Sequence, residues 1–173
     1  PVGFKNRTDG DVQVAVDAIL SARHPHSFPS LTRDGAPAVL GTAGNEHGHL
    51  VLRGGSRSGP NFDAAHIEAA VALLRKGGVP PVVVVDCSHG NSGKDPARQP
   101  DVARDVADQI RSGQRCIAGV MLESHLTGGS QQVRPGVPLV YGQSITDACL
   151  SFEETVPVLK MLAEAVEQRR RGS

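Results

Sequence analysis

The chain has 173 residues, and its 18 lysines and arginines balance its 18 aspartates and glutamates. This length allows one domain with its own core, while the neutral charge and the 3% aromatic content argue against nucleic acid or an anionic membrane as a partner. Three scattered cysteines without CxxC spacing, Cys87, Cys116 and Cys149, favour reduced thiols and a cytoplasmic setting over a disulfide framework.

Segments typical of strands and of helices alternate along the chain. Runs of β-favouring residues predict strands over 1–4, 49–55, 82–86, 116–124 and 139–147. Apolar residues at helical spacing predict helices over 12–23, 61–78, 99–113 and 152–171. Two short β-favouring pieces around Asp34-Gly35 predict a β-hairpin inserted at about 27–44. Strands that alternate with helices predict an α/β fold with parallel strands and helical crossovers.

The stretch "VVVVDCSHGNSGKD", residues 82–95, joins a buried strand to a glycine-containing loop and allows two interpretations. A phosphate-binding loop of the Walker type needs a glycine, four residues and then Gly-Lys-Ser/Thr. Here Asp95 follows Gly93-Lys94, Ser88 stands where the first glycine belongs, and prolines intervene before the next predicted helix. The sequence therefore favours the second interpretation, a barrel strand that carries polar groups to an active-site mouth.

Charged or metal-binding side chains stand at the carboxyl ends of all the predicted strands. They are Lys5, Arg53, His89, Glu123 and Asp147. In a parallel barrel these ends converge on one mouth. An imidazole with two carboxylates suits a divalent transition ion. A lysine and an arginine beside them suit a phosphorylated or carboxylated anion.

Each of these residues also has a purely structural interpretation. Lys5 could be a solvated lysine, and Arg53 could pair with a surface carboxylate. His89 could be a loop histidine bonded to the backbone, and Asp147 could cap a short helix that follows it. Glu123 is harder to explain in this way, because a strand that is buried on both faces seldom ends in a carboxylate without a purpose.

Five segments resemble, in this order, the motifs of a known family. They are "PVGFKNRTDG", "HLVLRGG", "DCSHGNSGKD", "GVMLESHLTGGSQ" and "YGQSITDACLSFEET". Together they resemble type I 3-deoxy-D-arabino-heptulosonate 7-phosphate (DAHP) synthase, of the type that is sensitive to phenylalanine, tyrosine or tryptophan. The resemblance runs along nearly the whole chain and covers about the C-terminal half of the family's chain.

The resemblance implies a fold and an activity. The fold is the C-terminal part, about five of eight βα units, of a TIM-type (β/α)8 barrel with an inserted β-hairpin. The activity is the condensation of phosphoenolpyruvate with D-erythrose 4-phosphate to DAHP and phosphate, the first step of the shikimate pathway. By the matching motifs, Lys5 holds the phosphoenolpyruvate carboxylate and Arg53 contacts its phosphate. His89, Glu123 and Asp147 match three of the four ligands of one divalent ion, which would be Mn2+, Fe2+, Co2+ or Zn2+, and His89 also serves as a substrate contact.

The resemblance also implies partners. Phe28 and Ser30, in "HSFPS", fall on the hairpin where many relatives bind an aromatic amino acid as a feedback inhibitor. The family's cysteine ligand, its erythrose-phosphate-binding Lys-Pro-Arg-Thr segment and its third-strand arginine have no counterpart in these residues. The chain also enters a strand at once, at Pro1. We therefore expect a piece that needs an N-terminal half-barrel and that belongs to a homo-oligomer.

Two alternatives remain open at this point. The first is a noncatalytic remnant that regulates or assembles with a half-barrel of the same family. The intact strand-end residues argue against it, whereas the missing N-terminal half argues for it. The second is an octulosonate 8-phosphate synthase, which shares the barrel and the chemistry; the segments "FKNRTDG" and "SITDAC" argue against it.

Overall fold

The computed structural model describes residues 1–172 of the chain. The helices are α1 (Gln13–Ala22), α2 (Ala64–Lys76), α3 (His89–Ser92), α4 (Gln99–Arg111) and α5 (Phe152–Arg171), with a 3-10 turn at Pro96–Arg98. The strands are β1 (Val2–Lys5), β2 (His26–Leu31), β3 (Pro37–Thr42), β4 (Gly48–Leu52), β5 (Val83–Asp86), β6 (Ile117–Met121), β7 (Ser124–His125), β8 (Thr127–Ser130), β9 (Gln143–Ser144) and β10 (Leu150–Ser151). The four long predicted helices are confirmed to within a few residues at their ends.

Four parallel strands form the central sheet, in the order β1-β4-β5-β6. Lys5 at the end of β1 pairs with Val51 of β4, and Asp86 at the end of β5 pairs with Met121 of β6. Helices α2 and α4 make the crossovers between successive strands of this sheet. The parallel register and the helical crossovers confirm the predicted α/β architecture. Among residues 1–172, β1 and β6 have a sheet neighbour on one side only.

The two central strands carry the hydrophobic core. Leu50 and Leu52 of β4 and Val83 and Val85 of β5 are fully buried, as expected for parallel strands that are covered on both faces. The helices add their apolar faces, including Ile19, Ile67, Leu74, Val106 and Ile110. The carboxyl ends of β4 and β5 are therefore fixed by a packed core, which makes them suitable anchors for functional side chains.

Capping residues define the starts of two helices. Asp63 accepts a hydrogen bond from the backbone N–H of His66 at the start of α2. Ser151 and Glu154 form a reciprocal capping box at the start of α5, which satisfies backbone donors that would otherwise lack partners. Because Ser151 caps α5, the interpretation of Asp147 as a helix cap is wrong.

No helix within residues 1–172 is long and apolar enough to cross a membrane.

A β-hairpin separates α1 from β4. Strands β2 and β3 pair antiparallel from His26 opposite Thr42 to Leu31 opposite Pro37. Thr32 and Gly35 lie in the turn, where Gly35 has a φ of 80°, a conformation that glycine adopts without steric cost. The hairpin overlaps the predicted stretch at 27–44. Several of its apolar side chains are solvent-exposed, namely Phe28, Leu31, Val39 and Leu40.

Two local predictions are wrong. The strand predicted at 139–147 is reduced to β9, which pairs with β8, while β10 lies beyond it and pairs with β7. Gly142, with a φ of 75°, interrupts the extended conformation in that segment. The expectation that no helix directly follows the β5 loop is also wrong, because α3 forms one helical turn there and ends at Gly93, whose φ is 64°. The Walker interpretation still fails, since Ser88 and Asp95 are unsuitable in identity.

Candidate active site

The carboxyl edge of the central sheet gathers the side chains that the sequence singles out. Lys5 is the last residue of β1, and Arg53 directly follows β4. His89 lies three residues beyond β5, and Glu123 lies two residues beyond β6. Because the strands are parallel and in register, these four side chains lie at the same edge of the sheet, where the carboxyl ends of the strands meet. Asp147 comes from the irregular segment between β9 and β10.

His89, Glu123 and Asp147 form a cluster that could hold a metal ion. One possible ligand atom from each lies within 4.8 Å of those of the other two. Two ligands on opposite sides of an ion, each about 2.1 Å from it, are about 4.2 Å apart, so small side-chain movements bring these atoms to coordination distance. One nitrogen and two carboxylate oxygens are a donor set that suits a divalent transition ion. The residues present therefore fit the ion that the resemblance implies.

Glu123 is held in this cluster by two neighbours. The Ser88 hydroxyl donates to its Oε2 over 2.5 Å. The Gln99 side chain is fully buried and makes two hydrogen bonds with the backbone of Glu123. Its Nε2 donates to the Glu123 carbonyl over 3.1 Å, and its Oε1 accepts from the Glu123 N–H over 2.8 Å. Neither Ser88 nor Gln99 is among the site residues predicted from the sequence. A glutamine at the first position of a helix, between Pro96 and Pro100, carries no local signal for such a clamp.

Asp86 connects two of the predicted site residues. Its carboxylate is fully buried, and Oδ2 accepts a hydrogen bond from Nζ of Lys5 over 2.8 Å. The same oxygen lies 2.9 Å from Nδ1 of His89. No hydrogen bond of acceptable angle reaches that buried nitrogen from residues 1–172, so this short separation is an electrostatic contact. The other carboxylate oxygen of Asp86, Oδ1, accepts a hydrogen bond from the backbone N–H of Ser88 over 2.9 Å.

A cavity of about 430 Å³ opens beside the cluster. Its lining includes Arg53, His89 and Lys94, together with backbone at Gly54 and Gly90. Within residues 1–172, neither the Arg53 guanidinium nor the Lys94 ammonium has a protein acceptor. His89 and Lys94 are also the non-glycine residues of that region with positive φ, 49° and 65°, and such backbone strain concentrates at functional sites. Two unpaired cations in one cavity can bind an anion.

Three buried asparagines join the loops around this cavity. They are Asn6, Asn61 and Asn91, each no more than 3% exposed. Oδ1 of Asn6 accepts from the Arg53 backbone N–H over 2.8 Å, and Nδ2 of Asn91 donates to the carbonyl of Asp86 over 2.8 Å. Asn61 lies between them, because it donates to Asn6 and its N–H donates to Asn91. These amides satisfy backbone groups where the strands diverge and the sheet ladder ends.

Comparison with known proteins identifies the family. The model of the DAHP synthetase I family matches residues 1–160. The chain belongs to this family. The resemblance found in its motifs is therefore confirmed.

Curated relatives and a solved structure of the DAHP synthetase I family agree. The chain is 51% identical, over 99% of its length, to the tyrosine-inhibited phospho-2-dehydro-3-deoxyheptonate aldolase of Schizosaccharomyces pombe, and covers 47% of it. It is 49% identical over 98% of its length to the Phe-sensitive aldolase of Escherichia coli K12, and covers 48% of it. The structure of the aldolase from Francisella tularensis SCHU S4 superimposes with a TM-score of 0.91 at 52% identity, over 96% of this chain and 48% of that one. The chain thus spans about half the length of the curated relatives it matches.

Cys149 lies next to the candidate metal-binding cluster of His89, Glu123 and Asp147. Burial, and the nearby carboxylates of Glu123 and Asp147, raise the pKa of its thiol, while a hydrogen bond with Ser144 lowers it. Burial raises the pKa of Cys87 to about 12, with a further contribution from Asp86. All three cysteines are free.

The predicted effector residues are not part of this site. Phe28 and Ser30 lie on β2 of the hairpin and belong neither to the candidate metal-binding cluster nor to the lining of the cavity. Phe28 is 43% exposed, and Ser30 is partly buried. Strand β2 pairs with β3 rather than with the central sheet.

Proposed function

We propose that the chain is the C-terminal part of a DAHP synthase that condenses phosphoenolpyruvate with D-erythrose 4-phosphate to DAHP and phosphate. The observation that carries this proposal is the convergence of two features on one edge of the sheet. The cluster of His89, Glu123 and Asp147 can hold a divalent ion. Beside it, Arg53 lines a cavity with its guanidinium free of protein partners among residues 1–172. The names of the relatives, which are heptonate aldolases, support this proposal over an octulosonate synthase.

Lys5 and Arg53 would bind phosphoenolpyruvate through its two anionic ends. Lys5 has an ammonium at the sheet edge with a 39% exposed side chain, and it would hold the carboxylate. Arg53 would hold the phosphate with its planar guanidinium, which matches phosphate oxygens in a bidentate manner. His89 touches both the cavity and the cluster, so it would contact the substrate as well as the ion. These cations keep the reacting carbon aligned for attack.

The reaction balances without an external oxidant or reductant. The terminal methylene carbon of phosphoenolpyruvate forms a bond with the aldehyde carbon of erythrose 4-phosphate, and the aldehyde oxygen receives the electron pair of the broken C=O π bond and a proton that the attacking water releases. Water adds to the carbon that bears the phosphate ester, and the bond from that carbon to oxygen breaks to release phosphate. A divalent ion in the cluster, Mn2+, Fe2+, Co2+ or Zn2+, would polarise the aldehyde oxygen as a Lewis acid. Glu123, fixed by Ser88 and Gln99, would keep its carboxylate in place for that ion.

The remaining half of the enzyme would come from an N-terminal segment. Residues 1–172 form a four-stranded parallel sheet with two open edges, β1 and β6, and an eight-stranded (β/α)8 barrel has none. We infer that these elements are about five of the eight βα units of such a barrel. The N-terminal half would add the cysteine ligand and the erythrose-phosphate site.

The other parts of the proposal concern assembly and setting. We infer a homo-oligomer in the cytoplasm, where three unpaired cysteines persist as thiols. The hairpin of β2 and β3 would bind an aromatic amino acid near Phe28 and Ser30, since relatives of this chain are named Phe-sensitive and Trp-sensitive. Exposed apolar side chains on that hairpin are available for such a ligand.

Complementation tests the proposed function. Residues 1–173 are purified alone and then mixed with an N-terminal half taken from a relative, and phosphate release from phosphoenolpyruvate is measured with erythrose 4-phosphate. We expect no turnover by the chain alone and turnover by the mixture; the two together are called the completed protein below. Turnover by the lone chain at about one per second or faster, a rate typical of enzymes, would show that the N-terminal half is not required. Binding between the halves without turnover would favour the regulatory remnant.

A further inference from the structure

We propose that Asp86 is a positioning residue that sets both the substrate-binding lysine and the metal-binding histidine with one carboxylate. This inference rests on the proposed function of Lys5 and His89. Asp86 itself is neither a lining residue of the cavity nor a member of the cluster of His89, Glu123 and Asp147. It acts instead on the side chains of Lys5 and His89.

Two donors and one imidazole nitrogen converge on this carboxylate. Nζ of Lys5 and the backbone N–H of Ser88 donate to its two oxygens over 2.8 and 2.9 Å. Nδ1 of His89 lies 2.9 Å from the oxygen that Lys5 occupies. Asp86 is fully buried, and a buried carboxylate without compensating donors is strongly disfavoured. All the donors around it come from residues at or next to the candidate site.

The contact with His89 determines which ring nitrogen faces the cluster. Nδ1 is buried and has no well-directed hydrogen bond from residues 1–172, and the Asp86 carboxylate, 2.9 Å away, is placed to accept a hydrogen bond from an Nδ1–H. Nε2 then carries the lone pair, and it points toward Glu123, whose Oε1 is 3.6 Å away. A carboxylate behind a histidine ligand fixes its tautomer and increases its basicity in metal sites. Small movements of the ring on ion binding would align the Nδ1–H with Asp86.

The contact with Lys5 fixes a flexible cation at the mouth. A free lysine side chain samples many rotamers, and ordering it costs binding energy when the substrate arrives. Asp86 orders it in advance, with the ammonium still partly exposed at a side-chain exposure of 39%. Asp86 also acts on a third site residue, Glu123, through Ser88. The Asp86 carboxylate accepts from the Ser88 backbone N–H, and the Ser88 hydroxyl donates to Glu123.

An Asp86→Asn substitution tests whether Asp86 acts through its charge and its two acceptor oxygens rather than through its size. The amide has nearly the same shape but only one acceptor oxygen, whereas donors reach both oxygens of the carboxylate. Its NH2 group must therefore oppose at least one donor. Asp63→Asn is a matched control, because Asp63 also contacts the Nδ1 of a histidine three residues later, His66, over 2.6 Å, but on the exposed surface.

The test measures binding in the completed protein rather than turnover. Mn2+ affinity is determined by competition with a chelator, and phosphoenolpyruvate affinity by calorimetric titration. For Asp86→Asn we expect Mn2+ affinity to fall about 10–100-fold, as for other outer-sphere partners of metal ligands. We expect phosphoenolpyruvate affinity to fall by up to about tenfold, because Lys5 must then be ordered when the substrate binds. Asp63→Asn should change neither.

The outcomes are distinguishable. Wild-type protein that binds neither Mn2+ nor phosphoenolpyruvate would overturn the proposed function itself. Wild-type binding of both, with only one or neither affinity lowered in folded Asp86→Asn, would overturn the shared role of Asp86. If the Asp86→Asn variant does not fold, a measurement on the wild type tests the contact between Asp86 and His89 instead. Solid-state 15N spectra of histidine-labelled, metal-free protein, assigned with His89→Gln, should show His89 protonated on Nδ1, and a neutral ring with its proton on Nε2 alone would contradict the proposal.

Discussion

Nε2 of His89 lies 3.6 Å from Oε1 of Glu123, although the two residues follow different strands. The register of the sheet explains this proximity. Asp86 at the end of β5 pairs with Met121 at the end of β6, so a residue three positions after the first and one two positions after the second emerge side by side. The candidate metal site is therefore a consequence of strand pairing, stabilised by the core beneath it.

Replacing the cluster residues one at a time should remove metal. In the completed protein, we expect His89→Ala, Glu123→Ala and Asp147→Ala each to lower Mn2+ affinity by more than about 100-fold, because loss of an outer-sphere partner alone costs 10–100-fold. Metal content after dialysis against a weak chelator measures this. Asp34→Ala, at the exposed turn of the hairpin, is the control. Undiminished metal in His89→Ala would exclude His89 as a ligand.

The cavity cations should bind substrate rather than stabilise the fold. The Arg53 guanidinium and the Lys94 ammonium have no protein acceptor within residues 1–172, so Arg53→Met and Lys94→Met remove no existing pair. We expect each to raise the KM for phosphoenolpyruvate about tenfold, the usual cost of one charged hydrogen bond, with the Tm nearly unchanged. Arg33→Met on the hairpin is the control. A fall in Tm with unchanged KM would indicate a structural role instead.

The strand-end residues were predictable because topology determines where they lie. Alternation of strands and helices implies parallel strands, and parallel strands place all their carboxyl ends on one side. Lys5, Arg53, His89 and Glu123 could therefore be placed on one edge without any knowledge of their contacts. The buried runs of β4 and β5 made those strands easy to locate, since apolar residues are continuous there.

The contacts that hold these residues were not predictable. Lys5 and Asp86 are 81 positions apart, and Gln99 clamps Glu123 from 24 positions away. Such pairs depend on side-chain directions at the ends of elements, which hydrophobic periodicity does not encode. The segment at 139–147 was misassigned for a related reason. Its β-favouring residues matched a strand, but within residues 1–172 it pairs only through the two residues of β9.

Lys5→Met should destabilise the completed protein, because it leaves the buried Asp86 carboxylate without its cation. Breaking a buried pair typically costs about 3–5 kcal/mol. Since the Lys5 side chain is 39% exposed, we expect about 1–3 kcal/mol, measured as the change in free energy of unfolding in urea. Arg7→Met is the matched control, since Arg7 pairs with Asp9 on the surface, where such pairs contribute at most about 1 kcal/mol.

The double variant Lys5→Met/Asp86→Asn completes this prediction. Asp86→Asn removes the buried charge that Lys5→Met leaves unpaired. The double variant should therefore recover part of the lost stability, which gives a favourable coupling energy between the two positions. Equal destabilisation by Lys5→Met and Arg7→Met, or additive effects in the double variant, would show that the Lys5–Asp86 contact does not stabilise the fold.

The three cysteines should differ in reactivity. The thiolate is the reactive form, and burial raises the pKa of Cys87 to about 12, so at pH 8 almost none of this side chain is ionised. Cys87 is also fully buried, whereas Cys116 and Cys149 are partly exposed. We expect mass spectrometry after brief iodoacetamide treatment to find adducts on the exposed pair and none on Cys87. All three should react in denaturant, and equal labelling of Cys87 under native conditions would contradict its burial.

A single methyl group at Gly90 should separate the loop of His89 from the loop of Arg53. A Cβ at Gly90 would lie 2.7 Å from the carbonyl carbon of Gly54 and 2.7 Å from the backbone nitrogen of Gly55. These neighbours are backbone atoms, so they cannot rotate away as a side chain would. Inserting a methyl group into a packed site usually costs about 1–3 kcal/mol through displacement of the surrounding backbone.

Here that displacement would move two functional loops apart. Gly90 follows His89 directly, and Gly54 follows Arg53, so we expect Gly90→Ala to lower both Mn2+ affinity and phosphoenolpyruvate affinity in the completed protein, beyond its effect on Tm. Gly41→Ala is the matched control, because a Cβ there meets no atom within 4 Å. If Gly90→Ala lowers the Tm but leaves both affinities at the wild-type values, then the contact between the two loops serves stability alone, and the spacing of His89 and Arg53 is set elsewhere.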